Sequence, residues 1–300
     1  MMHFAREHDI EYAPGLKLDL VRPDPSPQPA PVIIWLHDGG WRVGDRSMAP
    51  DLEKHFAAAG FVMISIDYRL SGEATFPAQL HDVRAAVRWA RAHGPEYSFQ
   101  AGRIGLWGSS AGGHLAALVG VLSDQSELAG EDSDGISSSV DAVVVGYAPI
   151  DLTTPDQSNV RTEALLGGPV IDRGELALLA SPNRLVGPGA PPFLIVHGDD
   201  DELVSPLQSR LLYGALAANE AEVALCLVEG FGHGFFNPST MQAPPGLALD
   251  FGRLERESGA RAELRVKSPG KREVVSSQAV SFEFIGEFFR RELGASIDGD

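Results

Sequence analysis

The sequence predicts an α/β protein with a mostly parallel central sheet and helices on both faces. Six short apolar runs recur along the chain, each of a length that suits a strand buried on both sides. Longer segments with apolar residues at helical spacing lie between most of them. At 300 residues and 44% hydrophobic content there is material for one sizeable core, so a single domain over 1–300 is expected.

The first runs, "IEYA" and "LKLDLVRP", suit an antiparallel hairpin at one edge, and "PDPSPQPAP" then connects it to the core. The core strands are expected at Val32–Leu36, Phe61–Ile66, Arg103–Trp107, Ala142–Gly146, Phe193–His197 and Val223–Val228. Helices are expected at about Met48–Ala59, Pro77–Ala92, Ala111–Leu122, Pro206–Ala218 and Phe282–Leu293. Ser123–Asp141 is rich in Ser, Asp, Glu and Gly and reads as an exposed loop. Tyr147–Pro192 is the main candidate to cover a site at the strand ends. A surface insertion is expected at about 239–280, with mixed charges along "RLERESGARAELRVKSPGKRE"; it suits a helix and then a hairpin turning at Ser268–Lys271.

With 41 acidic against 24 basic side chains, the net charge of -17 argues against nucleic acid and anionic membrane surfaces as partners. Cys226 is the single cysteine and lies in the apolar run "VALCLV", where packing is its expected role and no internal disulfide can form. The opening residues show no basic stretch followed by an apolar one, and no apolar run is long enough to span a bilayer, so the expected location is cytoplasmic. A monomer and a homodimer fit the sequence equally well.

"GLWGSSAGGH", Gly105–His114, holds the first chemical signal. A nucleophile elbow needs Gly-x-Ser-x-Gly on a sharp strand-to-helix turn. Only Ser110 satisfies this frame, as Gly108-Ser109-Ser110-Ala111-Gly112; centring on Ser109 would put Trp107 and Ala111 at the glycine positions. Standing alone, the motif would also suit a serine N-cap on a glycine-rich turn. It is accompanied, however, by "IIWLHDGGW" upstream, by the acids Asp199, Asp200 and Asp201 after "FLIVHG", and by His233 in "VEGFGHGFF". Each follows a strand, in the chain order serine, acid, histidine. Three consecutive acids on one loop cannot easily converge on a metal without further ligands. His37 is expected to shape its loop by hydrogen bonding, His114 to pack or hydrogen-bond, and His197 to serve as a base only if His233 were misplaced. Trp41, Trp89 and Trp107 read as packing residues, with Trp41 also placed to line a pocket.

These stretches, with "IDYRLSGEATFPAQLHDVRAAVRWAR" and "PPFLIVHGDDDELVSPLQSRLLYGAL", resemble the bacterial esterase/lipase group of α/β-hydrolases, which includes acetyl esterases, feruloyl-esterase-like proteins and a kynurenine-formamidase-like branch. The resemblance implies the α/β-hydrolase fold and Ser110 as nucleophile, with Asp201 and His233 as its partners. It implies an oxyanion hole from the backbone N–H groups of Gly39, Gly40 and Ala111, and no cofactor or metal. The expected activity is a serine carboxylesterase acting on small, short-acyl esters. The alternatives are an amidase of the kynurenine formamidase type and a silent binding protein on the same fold. The sequence departs from the group at Asp38, where such loops commonly carry a glycine, and in the length of the insertion after Pro238. The Asp38 side chain is expected to turn away from the hole and hydrogen-bond its own loop.

Overall fold

Residues 3–25, 28–122, 131, 135–244 and 246–294 are described by a computed structural model. Among them, the apolar runs pair side by side into one sheet. In chain order the strands are β1 (His3–Ala13), β2 (Leu16–Asp24), β3 (Ala30–Leu36), β4 (Val62–Ile66), β5 (Phe99–Ser109), β6 (Ala142–Gly146), β7 (Phe193–Gly198), β8 (Val223–Val228), β9 (Ala260–Lys267) and β10 (Val274–Val280). Their spatial order is β1-β2-β4-β3-β5-β6-β7-β8-β9-β10. β3 to β8 are mutually parallel, and antiparallel partners flank them, β2 beside β4 and β9 beside β8.

Strand periodicity sends alternate side chains to opposite faces. Along β3, Val32, Ile34 and Leu36 join a core on one face, and Ile33 and Trp35 join a core on the other. The first core is closed by the crossover helices α2 (Ala78–Ala92), α4 (Ala111–Leu122) and α7 (Leu207–Ala218), through residues such as Val83, Leu118 and Leu212. The second is closed by α9 (Phe282–Leu293), whose Ile285 and Phe289 pack with Trp107 and Phe56. Cys226 is fully buried in this second core.

Several elements differ from the sequence expectation. The helix expected over Met48–Ala59 shrinks to α1 (Leu52–His55) and a 3-10 turn at Ala57–Ala59. Pro50 cannot sit inside a helix, and Asp51 caps the shortened one by accepting from the Lys54 amide (2.9 Å). A short α3 (Gly94–Tyr97) precedes β5, and α5 (Val160–Leu166) and α6 (Gly174–Leu179) lie between β6 and β7. Segment 239–280 contains α8 (Arg253–Arg256) and the β9–β10 hairpin, whose turn is closed by the Lys271 amide donating to Ser268 O (3.1 Å). Because β9 pairs with β8 from Val223↔Lys267 to Val228↔Ala262, this hairpin prolongs the central sheet. Most of the loop expected at Ser123–Asp141 lies outside the described residues. No helix among the described residues is long and apolar enough to cross a membrane.

Candidate active site

β5 ends at Ser109 and α4 begins at Ala111, which leaves Ser110 at the turn with φ +49°. A non-glycine residue in this left-handed region is strained, and the turn is held by its surroundings. The Ser110 amide donates to Gly146 O (2.8 Å), and the His114 amide donates to Ser110 O (2.9 Å). A Cβ on Gly108 would lie 2.4 Å from the Gly112 backbone, and one on Gly112 would lie 2.1 Å from Leu36 O. Both glycines of the motif are therefore imposed by close backbone packing. Ser109, one residue earlier, is fully buried.

The loops after β7 and β8 bring Asp201 and His233 to this turn. Ser110 Oγ lies 2.9 Å from His233 Nε2, and His233 Nδ1 lies 2.7 Å from Asp201 Oδ2. A carboxylate accepts, so Nδ1 carries the ring proton and Nε2 is left to accept from the serine hydroxyl. Asp199 and Asp200 are exposed, and Asp199 accepts instead from the Gly230 amide (2.6 Å). Among the three acids, Asp201 reaches the imidazole. Its other oxygen accepts from the Leu203 and Val204 amides, both at 2.9 Å. Burial alone would raise the Asp201 carboxyl, but its bonds to His197 and His233, together with their charge, hold it well below the usual carboxylate range.

Residues that sequence reasoning missed, or read differently, complete the surroundings. His197 Nε2 lies 3.2 Å from Asp201 Oδ2 and 2.9 Å from Val204 O, two acceptors that place a proton on that nitrogen; Ser209 Oγ meets Nδ1 at 2.7 Å. His197 is thus a positioning partner for Asp201, and its only sequence signal was the four-residue spacing. The Tyr147 ring packs edge-on against His233 with centroids 4.7 Å apart, and its hydroxyl accepts from the Phe236 amide (3.1 Å). The Asp38 carboxylate meets its own backbone amide, the bond within the loop that was expected, and also reaches beyond that loop. Its carboxylate accepts from the Asn237 side chain, which ties the loop after β3 to the loop after β8. Burial raises the Asp38 carboxyl, opposed by the Asn237 bond and the charge of His233.

The serine opens into a cavity of about 550 Å³ that is also lined by Gly39, Gly40, Ala111 and Trp41. The amides of Gly39, Gly40 and Ala111 have no acceptor among the described residues. His37 and His114 lie away from the relay. His37 Nδ1 donates to Asp38 O (2.6 Å), and His114 Nε2 donates to Ala180 O (2.7 Å). The cavity is walled from two sides, by Pro149–Thr162 and by the first part of the 239–280 segment, with Met241, Leu247, Leu249 and Phe251. The expectation that Tyr147–Pro192 is the main cover is corrected in that respect, because residues 250–254 fold back onto the His233 loop.

The parallel strand order, the strand-to-helix turn at Ser110 and the placement of acid and histidine after successive strands define an α/β-hydrolase of the bacterial esterase group. The chain belongs to the BD-FAE family, whose model matches residues 18–216. It is 35% identical over 231 residues to Esterase LipC of Mycobacterium tuberculosis (strain ATCC 25618 / H37Rv), covering 74% of this chain and 57% of that relative. A truncated carbohydrate esterase from gut microbiota superposes with a TM-score of 0.69 at 28% identity, covering 76% of this chain and 89% of that one. The butyrate-bound esterase Est2 of Thermogutta terrifontis superposes with a TM-score of 0.64 at 26% identity, covering 78% and 86%.

Proposed function

We propose that the protein is a serine carboxylesterase that hydrolyses small, short-acyl esters. The observation that carries this reading is the hydrogen-bonded series from Ser110 through His233 to Asp201 at the floor of a cavity. Ser110 Oγ attacks the ester carbonyl as His233 Nε2 takes its proton. His233 then returns that proton to the leaving alcohol, and Asp201 fixes the tautomer and stabilises the imidazolium. Water repeats the cycle on the acyl-enzyme to release the acid. Negative charge on the carbonyl oxygen is met by the amides of Gly39, Gly40 and Ala111, at about 3 kcal/mol per donor. The short-acyl preference is supported by the bounded cavity and by the Thermogutta esterase, whose structures hold butyrate and propionate. A cytoplasmic location is supported by the lone buried cysteine, which leaves no internal disulfide to maintain.

Turnover of p-nitrophenyl acetate tests the reading. Ser110→Ala is expected to lower kcat by ~10⁴ or more and Asp201→Asn by a similar factor, with Ser109→Ala costing far less. Equal losses in the two serine variants, with folding intact, would remove Ser110 from its role.

A further inference from the structure

Arg161, near the start of α5, lies over the loop that carries Gly39 and Gly40: a Cβ on Gly40 would fall 2.6 Å from Arg161 Cδ. The side chain lines the cavity and has no acidic partner among the described residues. Arg42 lines the same cavity and also meets no carboxylate among the described residues, whereas Arg46, Arg69, Arg184 and Arg253 each do. Beside it, Thr162 is fully buried and Trp41 is 2% exposed, and both line the same cavity. Thr162 Oγ1 and Trp41 Nε1 find no hydrogen-bond partner among the described residues. A buried polar atom without a partner is destabilising, so two of them in one cavity wall with a cation point to a ligand. Asp38 is the one acid among the lining residues, and its carboxylate is already engaged by Asn237.

We propose that Arg161, Thr162 and Trp41 form a subsite for a carboxylate carried by the substrate ester. The inference rests on the esterase reading and specifies its substrate class. A carboxylate offers about four lone-pair sites on two oxygens. A guanidinium edge supplies two parallel donors, and the threonine hydroxyl and indole N–H supply one each. The carboxylate sits on either the acyl or the alcohol half, and two substrate pairs tell these apart. Monophenyl glutarate against phenyl valerate places the charge on an acyl chain of equal length; 3-acetoxybenzoate against phenyl acetate places it on the leaving group.

In one of the pairs the charged ester is expected to show a kcat/KM at least about tenfold above its neutral partner, the scale of a charge-assisted hydrogen bond. The ratio should shrink in Arg161→Gln and in the near-isosteric Thr162→Val, and fall as salt is added. Calorimetric binding of the same pairs to Ser110→Ala gives a readout without turnover. Neutral esters turned over as well as charged ones in both pairs, or a ratio untouched by Arg161→Gln in the folded protein, would overturn the subsite and leave the esterase reading standing. Selective binding of a charged ester to Ser110→Ala with no hydrolysis by the wild-type protein would do the reverse.

Discussion

Asp38 places a buried carboxylate beside amides that would face a developing negative charge. A like charge ~7 Å away, at an effective dielectric near 20, opposes that charge by roughly 2 kcal/mol. The same carboxylate accepts from Asn237 and so joins the loop that follows β3 to the loop that carries His233. Substitution separates the two effects. Asp38→Asn keeps an acceptor for Asn237 and removes the charge, so kcat is expected to stay level or rise up to about tenfold. Asp38→Gly leaves the Asn237 side chain without that acceptor, which is expected to lower stability by about 1–3 kcal/mol and to reduce kcat. Thermal melts and steady-state kinetics on both variants check this. A hundredfold loss in Asp38→Asn at unchanged melting temperature would give the charge itself a positive role.

The stretch between Pro238 and β9 acts on the site through the backbone. The Asp250 amide donates to His233 O (2.7 Å), and the Gly252 amide donates to Asn237 O (2.6 Å). The Asp250 carboxylate accepts from the Gly232 amide (2.6 Å) and from Arg253 (2.8 Å), whose guanidinium stacks on Phe231 at 4.1 Å. This element therefore clamps the histidine loop from outside while its neighbours Leu249 and Phe251 line the cavity. Asp250→Ala leaves the Gly232 amide without its acceptor, so the loop should loosen and His233 lose registration with Ser110. The expected outcome is a kcat about tenfold lower with KM little changed, read from initial rates with p-nitrophenyl acetate. A kcat equal to the wild type would show that the backbone bonds hold the loop alone.

Across the whole molecule, His37 and His114 make acid stability a property of the fold. Burial pushes both down to about 4 from an ordinary 6.5, with the bonds to Asp38 O and Ala180 O acting in the opposite direction. Both are neutral in the folded state, and the unfolded chain binds the extra protons first. Stability is therefore full above about pH 6.5 and is lost as pH falls toward 4, by up to about 3 kcal/mol per histidine. Asp201, held below its ordinary value of 3.8, adds a further loss only in more acidic solution. Urea unfolding at pH 7 and pH 4.5 should show this decline, and His114→Gln should flatten it by keeping a donor for Ala180 O without the titration. Equal unfolding free energies at the two pH values in the wild-type protein would contradict it.

The sheet, its crossover helices and the Ser110 frame were legible in the sequence because they depend on local signals. Apolar runs mark buried strands, helical spacing marks α2, α4, α7 and α9, and the Gly108 and Gly112 spacing marks a turn that only close backbone contact requires. His233 was legible as well, because it follows a strand. Contacts between distant segments were not. Nothing local to Asp38 indicates Asn237, 199 positions away, and nothing in "DFGRLER" shows that it closes over the histidine loop. The β9–β10 hairpin read as a charged insertion because mixed charge describes the exposed faces of its strands, whereas its place in the sheet was set by the open edge of β8. Sequence determined which residues could react, since chemistry and backbone freedom are local. Tertiary structure decided how Asp201, the acid that the resemblance had already implied, is held against the imidazole and which side chains wall the cavity, since those depend on where separate loops converge in space.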